Sequence, residues 1–145
     1  MSTWFEHHTF GACTPDPTAL VAAKAGRRIS VVLPARNEAA TVGTIVSTVR
    51  AGLVEQHGLV DEVIVVDSRS DDATARTAEE AGARVVSTVD VHPGLDGGKG
   101  AALRTGLEAM SGDIGVFLDA ELADVGVEFV VGLLAPLLTD PSLVL

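Results

Sequence analysis

Short runs rich in Val and Ile alternate along this chain with longer segments in which apolar residues recur at helical spacing. The runs expected to form strands cover residues 28–34, 61–67, 84–87 and 113–119. The segments expected to form helices between and after them cover residues 38–53, 71–83, 100–112 and 126–138. This alternation predicts right-handed βαβ units, and therefore an α/β fold with a mostly parallel sheet and helices on both faces.

The length of 145 residues suits one domain. Residues 1–28 are expected to form an irregular N-terminal extension with one short helical stretch, and residues 29–145 the domain itself. The apolar run at 142–145 resembles the start of another strand. We therefore expect the chain to be the N-terminal part of a longer protein, with the C-terminal part of the domain missing.

The formal net charge of -10 argues against nonspecific binding to nucleic acid, which requires a basic surface. It does not exclude an anionic ligand, because a few basic side chains or backbone N–H groups can hold a phosphate. The lone Cys13 excludes an internal disulfide framework and fits a reducing compartment. We expect a cytoplasmic protein without membrane contact, since the sequence shows neither a signal peptide nor an apolar run of about 18 residues.

Polar or glycine-rich segments follow each of the four expected strands. They are "PARNE" at 34–38, "DSRSDD" at 67–72, "GLDGGKG" at 94–100 and "DAE" at 119–121. In open parallel sheets, ligands bind at the carboxyl ends of the strands. The convergence of these segments on one sheet edge predicts a ligand site there.

Two of these segments contain a charged residue with two equally good interpretations. Lys99 opens a helix after a glycine-rich loop, where it can meet a phosphate or remain a solvated side chain. The loop is not a Walker A motif, because Pro93 stands where glycine is required and Gly100 where Ser or Thr is required. Asp67 closes a strand, where its carboxylate can bind a base or ribose or be an ordinary strand-end acid.

Helix capping explains several other polar residues without a ligand. Asn37 is expected to cap the helix that follows the first strand, and Glu38 to interact with that helix's dipole. The residues expected to cap the next helix are Ser70, Asp71 and Asp72.

The stretch "VFLDAELAD" places Asp119 and Glu121 two residues apart where a strand ends. On an extended segment both side chains point to the same side. Mg²⁺ and Mn²⁺ prefer oxygen ligands, and Mg²⁺ usually takes one or two carboxylates together with substrate phosphates. A solvated turn is the alternative for this pair alone, but the three neighbouring loops favour a metal site.

Together, "ISVVLPARNEAATVGTIV", "VDEVIVVDSRSDDAT", "GARVVS", "GGKGAAL" and "SGDIGVFLDAEL" resemble the GT-A glycosyltransferases with a family-2-like nucleotide-diphosphosugar-binding half. The resemblance covers roughly residues 20–145 and implies a Rossmann-like GT-A fold, with 29–145 as the nucleotide-sugar-binding half. It also implies a retaining, metal-dependent transfer of glucose from UDP-glucose, or another NDP-glucose, to 3-phosphoglycerate, and a homodimer.

The resemblance assigns a role to each matching residue. Those implied to surround the nucleotide base are Pro34, Ala35, Glu38 and Ser68. Lys99 is implied to approach the diphosphate and Asp119 to contact the ribose, and both are taken as the catalytic residues. Glu121 is implied to hold Mg²⁺ or Mn²⁺ at the diphosphate, in a D-A-E sequence where the family usually has D-x-D.

Two other functions remain open. The chain can be a truncated, non-catalytic remnant that binds a nucleotide-sugar. It can also be another family-2-like glycosyltransferase, such as one acting on a polyprenyl phosphate. The sequence disfavours the latter, because it has neither a membrane segment nor a basic amphipathic helix.

Overall fold

The computed structural model describes residues 15–94 and 98–140, together with Leu143. The strands are β1 (Ile29–Ala35), β2 (Glu62–Asp67), β3 (Arg84–Ser87) and β4 (Ile114–Phe117). The α-helices are α1 (Pro17–Lys24), α2 (Val42–Val49), α3 (Thr74–Glu80), α4 (Thr88–Val91), α5 (Lys99–Ala109) and α6 (Val127–Thr139). A π-helical segment, Arg50–Gln56, continues α2.

The strands form one sheet in the order β3-β2-β1-β4, and every pairing is parallel. β1 pairs with β2 from Ser30 opposite Glu62 to Ala35 opposite Asp67, and its other edge pairs with β4. The carboxyl ends of β1 and β2 therefore lie side by side. The predicted α/β class and the parallel sheet are confirmed.

Side chains alternate between the two faces of the sheet and build an apolar core on each. On one face, Val31 and Leu33 pack with α1, α2, α3 and α6. On the other, Val32, Ile64 and Val66 pack with Ala102 of α5. All of these are almost fully buried, and burying each Val, Leu or Ile side chain stabilises the fold by roughly 1.5–3 kcal/mol.

The start of α2 differs from the sequence prediction. The helix was expected from residue 38, but it begins at Val42 with Thr41 as its N-cap. The prediction that Asn37 caps this helix is wrong, and Glu38 lies in a turn ahead of it. Asn37 has a φ of 58°, outside the right-handed helical region, and the backbone N–H groups of residues 37–39 bond to the side chains of Ser70, Thr74 and Asp72 ahead of the helix.

The start of α3 also differs, since its N-cap is Ala73 rather than Ser70, Asp71 or Asp72. Asp72 still performs part of the expected function, because its Oδ1 accepts a hydrogen bond from the Thr74 backbone N–H at 2.9 Å. The sequence did not predict α4, a single turn in which Ser87 Oγ accepts from the Val89 N–H.

Some predictions fall outside the described residues. These are residues 1–14 of the N-terminal extension, with Cys13; residues 95–97 of the glycine-rich loop; and, apart from Leu143, the strand expected at 142–145. The division into 1–28 and 29–145 stays a prediction. Across residues 15–94 and 98–140, no helix has the length and apolar character needed to cross a membrane.

Candidate functional site

An open cleft with an empty volume of about 560 Å³ lies where the carboxyl ends of the strands meet α5. Its walls are formed by Pro34, Ala35, Arg36, Glu38, Ser68, Gly98, Lys99, Ala102, Asp119, Ala120 and Glu121. Seven of the eight residues that the sequence singled out are among them. The eighth, Asp67, directly precedes Ser68 but does not line the cleft.

Asn37 connects the loop after β1 with the loop after β2. Its backbone N–H donates to Ser70 Oγ at 3.0 Å, and its side-chain Oδ1 accepts from the Asp71 N–H at 2.8 Å. Asn37 has a φ of 58°, in the left-handed region that Asn tolerates better than most residues. Asn37 therefore joins two loops rather than capping a helix.

The next two residues continue this connection. The backbone N–H of Glu38 donates to Thr74 Oγ1 at 2.8 Å, and that of Ala39 donates to Asp72 Oδ2 at 3.2 Å. The pKa of Asp72 is lowered, mainly because its carboxylate accepts a hydrogen bond from the Thr74 hydroxyl. Asp72 is therefore ionised at neutral pH. These contacts fix the backbone beside Pro34, Ala35 and the cleft.

Ser68 and Asp67 present unpartnered polar atoms at the end of β2. Ser68 is only 4% exposed, yet no group of the described residues hydrogen-bonds its Oγ. Asp67 accepts from the Ser70 N–H through Oδ2 at 3.3 Å, while its Oδ1 is buried without a partner in the same described part of the chain. Buried polar atoms are usually satisfied, so both atoms are candidates for binding a ligand.

The acidic pair lies in a turn rather than on a strand. β4 ends at Phe117, so strand alternation does not explain why Asp119 and Glu121 both line the cleft. The Thr41 hydroxyl donates to the Ala120 carbonyl oxygen at 2.6 Å and fixes this turn to the N-terminus of α2. Sequence reasoning missed this role of Thr41, because the two residues are far apart in the chain.

Lys99 and Asp119 form an ion pair in the cleft, with Lys99 Nζ 2.6 Å from Asp119 Oδ1. The side chains are 66% and 48% exposed, so water still reaches both. The hydrogen bond and the attraction to Asp119 raise the pKa of Lys99, and the charge of Glu121 adds to the effect. Lys99 is therefore fully cationic at neutral pH.

The cleft offers carboxylates but not a complete metal site. No cluster of three or more His, Cys, Asp or Glu side chains suited to a metal occurs among the described residues. Asp119 and Glu121 alone match the one or two carboxylates that Mg²⁺ uses when substrate phosphates supply other ligands. The carboxylate ligands in the cleft therefore fit a divalent ion that binds together with a phosphorylated ligand.

Four lining residues were not predicted from the sequence: Arg36, Gly98, Ala102 and Ala120. The alanines carry no chemical signal that would identify them. Arg36 did carry one, since it is a basic residue at a strand end in a chain of net charge -10.

The family profile described as "Glycosyl transferase family 2" matches residues 30–124, which contain β1 from its second residue, β2 to β4 and every residue that lines the cleft. The chain belongs to this family. The match explains why the polar loops follow all four strands, and it confirms the family resemblance seen in the sequence.

Individual relatives in this family carry more specific names. The glucosyl-3-phosphoglycerate synthase of Mycolicibacterium smegmatis is 46% identical over 138 residues, which are 94% of this chain and 45% of that protein. This similarity agrees with the resemblance seen in the sequence, which implied family-2-like enzymes that transfer glucose to 3-phosphoglycerate.

Two solved structures share the fold. Glucosyl-3-phosphoglycerate synthase from Mycobacterium tuberculosis, in complex with Mn²⁺, UDP-glucose and phosphoglyceric acid, has a TM-score of 0.80 and 45% identity, covering 96% of this chain and 47% of that one. Mannosyl-3-phosphoglycerate synthase from Rubrobacter xylanophilus has a TM-score of 0.88 and 35% identity, covering 95% and 45%. The chain thus spans less than half the length of these family 2 relatives.

Proposed function

We propose that this chain forms the donor-binding half of a metal-dependent glycosyltransferase. The reaction is the transfer of glucose from UDP-glucose, or another NDP-glucose, to 3-phosphoglycerate with retention of configuration. The observation that carries the proposal is that seven residues assigned from sequence motifs line one cleft. The similarity to glucosyl-3-phosphoglycerate synthases supports the choice of donor and acceptor.

At one end of the cleft, the loops after β1 and β2 receive the nucleotide base. Pro34 and Ala35 provide an apolar surface, and Glu38 offers a carboxylate beside it. The unpartnered Oγ of Ser68, in the wall of the cleft, is placed to hydrogen-bond the base or ribose. The unpartnered Oδ1 of Asp67 does not line the cleft and reaches the base or ribose only if its side chain turns. The hydrogen bonds between the two loops hold this surface in place before the ligand arrives.

At the other end, Lys99 and Asp119 exchange partners when the donor binds. The diphosphate competes with Asp119 for the Lys99 ammonium, and the freed Asp119 carboxylate accepts a hydrogen bond from a ribose hydroxyl. The positive charge of Lys99 then lies where negative charge grows as the bond from sugar to diphosphate breaks. A preorganised charge at that position stabilises the transition state.

Glu121 would hold Mg²⁺ or Mn²⁺ at the diphosphate. When bound, such an ion neutralises charge on the departing nucleoside diphosphate. Phosphate oxygens of the donor would supply further ligands. Glu121 is exposed at the cleft, so it can reach a ligand without rearrangement of the core.

The sugar is transferred directly to the acceptor in this proposal. The acceptor hydroxyl oxygen bonds to the anomeric carbon as the carbon–oxygen bond to the diphosphate breaks, and the hydroxyl proton passes to a phosphate oxygen of the leaving group. Attack from the side of the departing phosphate retains the configuration, and it requires no protein nucleophile.

The test measures UDP release from UDP-glucose with Mn²⁺, with and without 3-phosphoglycerate. In the glycosyltransferase of which this chain is the donor-binding half, we expect release only when Mn²⁺ and 3-phosphoglycerate are both present, and NMR of the product should show the anomeric configuration of the donor. Donor binding without acceptor-dependent release would refute transfer by this chain and support binding alone. A mannose donor belongs in the assay, because one similar structure is named for mannosyl transfer. Sedimentation would test the homodimer.

A further inference from the structure

Arg36 lies in the wall of the cleft directly after β1, one of the two inner strands of the sheet. β1 is flanked by β2, which leads to Ser68, and by β4, which leads to Asp119. Arg36 thus stands between the end of the cleft proposed for the base and the end proposed for the diphosphate. Its side chain is exposed to the cleft's solvent.

The Arg36 guanidinium has no partner within the part of the chain that the structure describes. No ion pair or side-chain hydrogen bond joins it to residues 15–94 or 98–140. Lys99, in contrast, is already paired with Asp119. Arg36 is therefore the cation in this cleft that can receive an anion without first breaking a contact.

The charges of the lining side chains favour a second basic group for an anionic ligand, in addition to any metal ion held by Glu121. Arg36 and Lys99 face Glu38, Asp119 and Glu121, so the carboxylates outnumber the basic groups by one. Without Arg36 this excess would double. A diphosphate entering such a site would meet strong repulsion, which falls with each cation placed nearby.

The backbone next to Arg36 is held by hydrogen bonds to the neighbouring loop. Asn37 and Glu38 donate to Ser70 and Thr74, at 3.0 and 2.8 Å. These contacts fix the direction in which residue 36 leaves β1. The side chain itself stays free, but the planar fork of its guanidinium loses less entropy per hydrogen bond formed than a lysine ammonium does.

We propose that Arg36 binds a phosphate oxygen of the donor nucleotide and is a second donor-binding cation beside Lys99. The inference rests on the proposed function, since it needs a nucleotide in this cleft. The planar fork of Arg matches phosphate geometry with two parallel N–H donors, which a lysine cannot provide. Arg36 thereby sets the affinity for the phosphates rather than for the base.

The experiment compares UDP and uridine binding to the 145-residue chain and its Arg36→Ala variant, with Mn²⁺ present. Calorimetry follows UDP and NMR titration follows uridine. We expect Arg36→Ala to weaken UDP binding about tenfold, the usual effect of losing one charge-assisted hydrogen bond, and to leave uridine binding unchanged. The Arg36→Lys variant should fall between wild type and Arg36→Ala.

The matched control is Arg76→Ala, which removes the same charge from the exposed surface of α3, outside the cleft. It should bind UDP as wild type does, and circular dichroism should show all variants folded. Unchanged UDP affinity in Arg36→Ala, or equal losses for UDP and uridine, would overturn the inference. A wild-type chain that binds no UDP would instead overturn the proposed function.

Discussion

Lys99 Nζ lies 2.6 Å from Asp119 Oδ1, which joins the first residue of α5 to the segment that follows β4 at the same edge of the sheet. The pair is exposed, and exposed ion pairs contribute little to stability. A phosphate can therefore replace Asp119 as the partner of Lys99 at small cost. The pair holds the two groups beside the site at which the nucleotide-sugar is proposed to bind.

Replacing Lys99 with Met should weaken UDP binding without lowering the stability of the fold. Because the ion pair stabilises the fold little, the melting temperature of Lys99→Met should stay close to that of wild type. UDP affinity should fall about tenfold, since a cation at the diphosphate is lost. Calorimetry with UDP and a thermal melt measure both quantities. Unchanged UDP affinity would mean that Lys99 is only a surface residue.

Glu121 should determine the metal dependence of donor binding. In Glu121→Gln, the increase in UDP affinity that Mn²⁺ produces should disappear, because the amide is a much weaker ligand. In Glu121→Asp the increase should remain, since a carboxylate is kept. Calorimetry with and without Mn²⁺ measures the effect. A full Mn²⁺ effect in Glu121→Gln would remove Glu121 from the metal site.

Glu62 should make the stability of the fold depend on pH. It lies at the amino end of the sheet, where its carboxylate accepts hydrogen bonds from Ser30, Ser111 and Arg84. Burial alone would raise the pKa of Glu62, but these hydrogen bonds lower it from 4.5 to about 2. The carboxylate's contribution is therefore complete above pH 4.5 and is lost as the pH falls toward 2.

The shift at Glu62 corresponds to about 3 kcal/mol of unfolding free energy, for a side chain that is only 17% exposed. Urea denaturation at several pH values should show this loss in wild type. Glu62→Gln should be less stable at neutral pH and should show a weaker pH dependence below pH 4.5. Equal slopes in the two proteins would contradict the assignment.

Gly106 should be required for the packing of α5 on the sheet. A Cβ at this position would lie 2.6 Å from Val32 Cγ1 and 3.2 Å from Phe117 Cε1. Overpacking of this kind costs about 1–3 kcal/mol, more than the gain in helix propensity from Gly to Ala. Gly106→Ala should therefore destabilise the chain in a urea titration.

Gly132→Ala is the control for Gly106→Ala. It lies within α6, and no atom lies within 4 Å of the added Cβ. Only the helix propensity changes there, so this variant should be as stable as wild type or more stable by up to about 1 kcal/mol. A similar loss in both variants would show that steric contact at Gly106 is not the cause.

The fold was predictable because its signals are local. β-branched runs bounded by polar loops identified all four strands, apolar spacing identified α2, acids at its start and Gly82 at its end identified α3, and the segments 100–112 and 126–138 were predicted as the helices α5 and α6. The helix ends were less predictable, because contacts between distant residues decide them. Ahead of α2, the N–H groups of residues 37–39 bond to side chains that follow β2, and no local sequence pattern shows these contacts.

The site was predictable to the extent that its chemistry lies in charged residues at strand ends. Lys99, Asp119 and Glu121 were identified in this way, and they line the same cleft. Thr41 was missed, because its role is a hydrogen bond to a carbonyl oxygen 79 residues away. Ala102 and Ala120 were missed because an apolar wall is defined by shape rather than by residue type.

Calorimetric titration of the folded chain with UDP-glucose, with and without Mn²⁺, tests the central claim most directly. If the cleft is a donor site, UDP-glucose should bind at a single site and bind more tightly when Mn²⁺ is present. Absence of binding under both conditions, in a sample that circular dichroism shows to be folded, would contradict the account.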